Sequence, residues 1–360
     1  MKRRLDPDSL RALARGCAVL GAGGGGDPYL GLLQALQATE DFGPVALVDI
    51  DELPGESLIM PCGGIGAPTV SIEKIENGDE GGRLREHLEF VTGRRVTALM
   101  AAEIGGSNGL LPVAWAARMG LPLVDADGMG RAFPEVPQVT MHLAGISPSP
   151  AVMTDERGNL VLFQTISGHW MERLERAAAV EFGGAASSTE FSMTVAEARN
   201  ATVRDSVSLA IRIGETISRA AGSPVDALVA ELGAFRLISG KVLDVERRTT
   251  SGFARGSVVV EGLGADTGRL IRLELQNENL VALERGRVLA SVPDLITVLD
   301  SQTADAIVTE RIAYGQRVTV IAFACDPVWR TEKGLAVAGP RAFGYEFDFL
   351  PVEELAGATA

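Results

Sequence analysis

The chain of 360 residues is 46% hydrophobic and 22% charged, a balance that excludes wholesale disorder and fits a globular protein of about two domains. Lys and Arg number 33 against 47 Asp and Glu, a formal charge of −14. This disfavours a nucleic-acid partner, and no Lys/Arg-rich block rescues one, Arg247-Arg248 being an isolated pair.

The opening Met1-Lys-Arg-Arg leads into Leu5-Asp-Pro-Asp-Ser rather than the apolar stretch of a secretory signal. No run of about eighteen apolar residues offers a membrane span. A cytoplasmic protein with no membrane partner is expected. Leu10, Leu13, Cys17 and Leu20 recur at spacings of three and four, predicting an amphipathic helix over 8–20 that starts at Pro7 or Asp8. It ends in the run Gly21-Ala-Gly-Gly-Gly-Gly-Asp-Pro28, and a short helix over 29–37 follows. Next come expected strands at 45–50 and 57–60, a helix over 83–91, a strand at 96–102, a helix over 111–119, and strands at 121–124 and 139–144. This alternation means α/β, with a mixed or parallel N-terminal sheet covered by helices. Helices over 170–182, 195–218 and 223–232 come next, then β-type runs at 257–260, 270–275, 288–292, 318–323 and 343–347. We therefore expect an α/β ligand-binding domain over 1–167 and a C-terminal α+β domain over 168–360, helical first and β-rich in its second half.

The glycine run follows a helix and lacks the Gly-Lys-Ser/Thr of a phosphate loop, so no nucleotide cofactor is expected. Two readings stay open for it: a tight helix-ending reversal, or a cradle in which Gly24 and Gly25 let backbone approach a ligand while Asp27-Pro28 starts the next helix. Pro61-Cys-Gly-Gly-Ile-Gly-Ala-Pro68 ends a strand, where ligand loops lie in open α/β sheets. Cys62 there reads as a nucleophile or soft ligand, or equally as a buried structural thiol. Cys17, Cys62 and Cys325 form no CxxC pair, which argues against a disulfide framework.

The next strand end carries Glu103 and Asn108, one base or ligand and one neutral hydrogen-bonding group. Beyond it, alternation puts Asp125 and Asp127 on one side of an extended segment about 7 Å apart. With Arg131 and Glu135 they either converge on a ligand or cation or form a strand-end ion pair. His142 is the leading nitrogen ligand or acid–base candidate, His169 the second, and His87 reads as surface. Cys325-Asp-Pro-Val-Trp-Arg330 groups a thiol, a carboxylate, an aromatic plate and a cation, either to close over a substrate or as a structural turn.

The combination of Leu20-Gly-Ala-Gly-Gly-Gly-Gly-Asp-Pro28, Glu103-Ile-Gly-Gly-Ser-Asn-Gly109, Asp125-Ala-Asp-Gly-Met-Gly-Arg-Ala-Phe-Pro-Glu135, Trp170-Met-Glu-Arg-Leu-Glu-Arg176 and Gly339-Pro-Arg-Ala-Phe-Gly-Tyr345 resembles the bacterial S-methyl-thiohydantoin desulfurase-like family nearly end to end. Its members often neighbour hydantoinase/oxoprolinase genes. The resemblance implies an α/β N-terminal domain, a C-terminal domain with substantial β structure, and hydrolytic removal of sulfur from a 2-thiohydantoin, as in ergothioneine degradation.

Turning C=S into C=O needs water at the thiocarbonyl carbon, a base, and a soft or cationic group for the departing sulfide. Residue chemistry nominates Asp127, Asp125, Glu103, His142 and Cys62 for catalysis. Asp125, Asp127, Glu135 and His142 are the candidate ligands of a divalent metal, zinc foremost, which would acidify water and polarise sulfur. Gly24, Gly25, Asp27, Asn108, Arg131 and Cys325 are expected to hold the substrate, a small cyclic amide or thioamide. The other reading is a non-catalytic hydantoinase-associated subunit or hydantoin-binding accessory protein. A homo-oligomer or a hydantoinase-type partner is expected. On the catalytic reading Asp127→Asn stops turnover and leaves folding nearly intact.

Overall fold

Four parallel strands form the centre of the first sheet, in the order Val45–Val48, Leu123–Asp127, Val96–Ala101, Leu58–Gly66. Their apolar runs are buried on both faces, as Ile59, Met60, Leu99 and Val124 illustrate, which is what helices on both sides of a parallel sheet require. The computed structural model of the chain describes residues 3–66, 70, 73–250 and 253–357. Ala67 and Pro68, which end the second glycine-containing motif, lie outside the described residues, as do Met1 and Lys2.

Strand Arg3–Leu5 adds antiparallel to one edge of the sheet. On the other side the antiparallel strands Ala185–Thr189, Ala151–Thr154 and Leu160–Phe163 extend it beyond Leu58–Gly66. Helix Pro7–Leu20 starts where Asp6 accepts the Ser9 N–H at 2.8 Å, with Pro7 in its first turn. Helix Pro28–Phe42 is capped in the same way by Asp27, and Leu111–Met119 matches its sequence expectation, stopped by Gly120 in the left-handed region at φ 63°. Helix Ser206–Arg219 crosses Pro7–Leu20 at backbone contact. A Cβ built on Gly16 would lie 1.8 Å from the Ala210 carbonyl oxygen, and one on Gly214 would lie 1.9 Å from that of Ala12.

The second sheet has seven antiparallel strands, in the order Arg287–Ser291, Glu278–Glu284, Leu270–Gln276, Phe253–Gly262, Phe235–Thr250, Arg317–Phe323, Leu295–Asp300. It has its own core, including Ile238, Val258, Leu273, Val298 and Val320. Its other residues join the core of the first sheet, so the two units share apolar packing through Leu280, Leu299 and Trp329. A polar seam reinforces the join. Asn279 donates from its backbone and side-chain nitrogens to the Ala22 carbonyl, each at 2.9 Å, and Thr309 N donates to Gly23 O at 2.9 Å.

Several elements depart from expectation. Residues 139–144 make one helical turn, Thr140–Leu143, because Thr140 bonds back through its N–H to Gly128 O at 2.7 Å and through its hydroxyl to Ala201 O at 2.7 Å. A short apolar run carries no period long enough to separate the two outcomes. The helix expected over 195–218 is broken. Val195–Ala198 ends after one turn, Val203–Arg204 pairs with Asp127 and Ala126, and Asp205 at φ 59° redirects the chain into Ser206–Arg219. Residues 343–347 form no strand; Pro340–Phe343 is a 3-10 turn. Strands Ala185–Thr189, Met193–Thr194 and Val203–Arg204 all pair into the first sheet.

Candidate functional site

The C-terminal ends of the parallel strands, where such sheets place ligands, open onto a cavity of about 390 Å³. Gly63 and Gly64, then Glu103, Ser107 and Asn108, then Met129, Phe133 and Glu135 wall it from the first sheet, the 185–191 segment closes one side, and Asn277 and Glu278 reach in from the second. The glycine run explains itself at this point. Gly25, at φ 73°, accepts Ser107 N–H through its carbonyl at 2.8 Å, and a Cβ on it would lie 2.3 Å from Gly105 O. The two glycine loops therefore lie backbone against backbone, an approach that side chains forbid. Gly24 is covered by Glu278, whose Oε1 would sit 1.9 Å from a Cβ there.

Glu103 leaves the end of Val96–Ala101 and is 7% exposed. Its Oε1 accepts Asn108 Nδ2–H at 2.5 Å and its Oε2 accepts Phe133 N–H at 3.2 Å, while Asn108 Oδ1 accepts Gly64 N–H at 2.9 Å. Three strand ends are thus tied to one carboxyl. Burial pushes Glu103 up to about 8, against the lowering effect of those two hydrogen bonds. Glu278, 2% exposed, lines the same cavity with no donor on its Oε2 among the described residues. Burial and the nearby Glu103 charge hold Glu278 well above the usual carboxylate range. Sequence reasoning missed Glu278, which lies between two asparagines at the start of a strand and far along the chain.

The remaining candidates scatter. Asp127 is fully buried behind the cavity wall, where its Oδ2 accepts the N–H groups of Ile104, Met129 and Gly130 at 2.9, 2.9 and 2.7 Å. Burial pushes it up to about 7 despite those donors. It clamps the two loops that carry Glu103 and Glu135. Removing it in Asp127→Ala frees three buried donors, and a loss of about 3 kcal/mol or more in urea unfolding is expected; an unchanged midpoint would rule the clamp out. Asp125 does not face Asp127's partners: its oxygens accept Ser208 N–H at 2.9 Å and Ser208 Oγ–H at 2.5 Å, at the start of Ser206–Arg219. Arg131 is fully buried, donates to the carbonyls of Ala132, Pro293 and Asp294, and stacks 4.2 Å over the Phe133 ring, bracing the two units together outside the cavity.

Cys62 is fully buried with its thiol directed to Met60 O at 3.4 Å, and burial pushes it far above the range of a reactive thiol. Cys325 is buried and raised in the same way, and neither cysteine lines the cavity. The segment after Cys325 is a brace: Trp329 donates to Met129 O at 2.6 Å, and Arg330 pairs with Asp294 at 2.8 Å. Gly25 and Asp27 do line the cavity, Asp27 as the cap of its helix and the ion-pair partner of Arg311. Glu135 also lines it, half-buried and raised by burial and by Glu172. His142 stands outside, its ring 5.9 Å from that of His169.

The four proposed metal ligands do not meet. Asp125 and Asp127 are held by different donors, Glu135 is in the cavity and His142 is beyond it. Among the described residues no group of three or more His, Cys, Asp or Glu side chains is arranged to hold an ion, so these residues do not fit the expected metal. The buried carboxyls carry a thermodynamic signature instead. Glu103, Asp127 and Glu76, the last also raised to about 7 by burial, bind protons in the fold that the unfolded chain releases. Stability from such groups is complete below the unfolded value near 4.5 and is lost as pH rises through 7 and 8. The melting temperature is therefore expected to be highest near pH ~5 and to fall by several degrees by pH ~8.5; a flat or rising curve in a calorimetric pH series would contradict it.

Fold and cavity define an α/β protein of two joined sheets enclosing a carboxyl-lined space sized for a small molecule. The chain belongs to the S-Me-THD-like family: residues 8–165 match its N-terminal domain and residues 166–352 its C-terminal domain. A crystal structure of a protein from Chromobacterium violaceum shares the fold, with a TM-score of 0.78 at 24% identity over 97% of this chain and 100% of that one. No curated protein matches. No helix among the described residues is long and apolar enough to cross a membrane.

Proposed function

We propose that the protein is a hydrolase of a small cyclic thioamide of the 2-thiohydantoin type, exchanging thiocarbonyl sulfur for oxygen. Family membership suggests the substrate class. The single observation that carries the chemistry is a pair of buried carboxyls on one cavity, Glu103 pushed up to about 8 and Glu278 held well above the usual carboxylate range by burial and by the Glu103 charge. Such a pair supplies a base and an acid together, because ionising one carboxyl opposes ionisation of its neighbour.

In this reading the Glu103 carboxylate, aligned by Asn108 and Phe133 N–H, removes a proton from water as its oxygen bonds the thiocarbonyl carbon. The C=S π electrons move to sulfur, which takes the Glu278 proton. The adduct then carries one hydroxyl and one thiol. Glu278 recovers a proton from the hydroxyl, the C=O forms, the C–S bond breaks with its electron pair on sulfur, and Glu103 returns its proton to give H₂S. Both carboxyls end as they began, and no step is routed through a metal.

The test is incubation of the purified full chain with 2-thiohydantoin, measuring sulfide colorimetrically and hydantoin by chromatography. Equal amounts of sulfide and hydantoin are expected. Ring binding with no sulfide would overturn the hydrolase and leave a hydantoin-binding accessory protein.

A further inference from the structure

We propose that Asn277 is a positioning residue: by holding the one-residue turn ahead of Glu278, it keeps that carboxyl aimed into the cavity beside the glycine loop. This rests on the thiohydantoin reading above, in which Glu278 protonates the sulfur. Asn277 alone separates strand Leu270–Gln276 from strand Glu278–Glu284, and the ladder pairs Gln276 directly with Glu278. The chain can reverse so tightly because φ at Asn277 is 58°, a left-handed conformation that Asn and Asp tolerate best among residues with a side chain.

Asn277 also extends the ladder on its other side, beyond the Arg255–Gln276 pair. Its N–H donates to Ala254 O at 2.7 Å, as in an ordinary antiparallel pair. The left-handed turn swings its own carbonyl off the ladder, where it accepts the Thr309 hydroxyl at 2.6 Å, and the side-chain Oδ1 takes the vacated place by accepting Ala254 N–H at 2.9 Å. Thr309 N–H donates in turn to Gly23 O at 2.9 Å, next to the Gly24 that Glu278 covers. Asn277 and Thr309 thus close a ring through the glycine loop, and Asn279, latched on Ala22 O at 2.9 Å, holds the other side of Glu278. Glu278 Oε2 has no donor among the described residues, which leaves much of the carboxyl's aim to the backbone on either side. The charges facing it are the carboxyls of Glu103 and Glu310 and the Arg131 guanidinium. A loosened turn lets Glu278 swing towards water and away from Glu103, and both changes favour its ionised form.

Three variants of the full chain separate positioning from mere folding. Asn277→Gly keeps the left-handed turn and loses the Oδ1 bond, Asn277→Asp keeps both, and Thr309→Val cuts the ring from outside the cavity lining. The carboxyl stretch of protonated Glu278, identified in difference infrared spectra by its absence from Glu278→Gln, follows the ionisation directly, with or without turnover. In Asn277→Gly its midpoint is expected about one pH unit below that of the parent. In the same variant kcat for sulfide release from 2-thiohydantoin is expected to fall about tenfold or more, with KM changed by less than about threefold. Thr309→Val should move both readings in the same direction, and Asn277→Asp should keep kcat within about threefold of the parent. A Gly variant that melts earlier but keeps the Glu278 midpoint and kcat of the parent overturns the proposal. If that variant does not fold, Thr309→Val decides by the same two readings. No sulfide from the parent removes the desulfurase, and the infrared midpoint then decides the role of Asn277 on its own.

Discussion

Glu103→Gln is expected to lower kcat/KM for sulfide release by a factor of about 10² to 10⁴, the range general-base removal produces, with the fold retained. The amide has the shape of the acid and still accepts hydrogen bonds on one side from Asn108 or Phe133 N–H. It cannot take a proton from water. It also removes one of the groups whose ionisation opposes folding, so the variant should lose less stability at high pH than the parent. The parent enzyme has its own signature: kcat/KM should rise about tenfold per pH unit below the Glu103 value and level off above about 8. A profile already flat at pH ~6, or a Gln variant within a factor of a few of the parent, would remove Glu103 from the reaction.

A large loss of stability is expected at the helix crossing. Gly16→Leu should cost about 3 kcal/mol or more in urea unfolding, at the upper end of overpacking effects. The reason is that the first atom of any side chain would meet the Ala210 carbonyl oxygen at 1.8 Å, a backbone group that cannot rotate away. The helices would have to separate along their whole contact. Gly82 makes the control. It sits inside helix Glu80–Thr92 with nothing within 4 Å of its would-be Cβ, so Gly82→Ala should instead stabilise by about 0.5 to 1 kcal/mol. If both substitutions gave the same small change, the close crossing would not exist in solution.

Legibility in the sequence followed how local each cause is. The stripe of Leu10, Leu13, Cys17 and Leu20 and the helix expected over 111–119 depend on neighbours within one or two turns, and both gave the right element. Glu103 and Asn108 were visible because polar residues beside glycines at a strand end are unusual. Ala185–Thr189 was not: Ala-Ala-Ser-Ser-Thr has no apolar alternation, and it becomes a strand only because Leu58–Gly66 offers an edge to pair with. Asp127 shows the limit of reasoning from charge. Three backbone donors absorb the carboxylate, and those donors come from turns that no spacing rule locates. Glu278 was hidden for a different reason, since only docking of the second sheet brings it beside Gly24.

The seam at Ala22 and Gly23 bears on how the protein can be taken apart. A fragment ending at residue 165 would bare the flank of Leu58–Gly66 that Ala185–Thr189 zips, and it would hold a half-built chamber without Glu278 or the Asn279 latch. The segments on either side of 165 are consequently interdependent pieces of one folding unit, and recombining them in a tube would be a search for a missing wall rather than the tethering of two finished bodies.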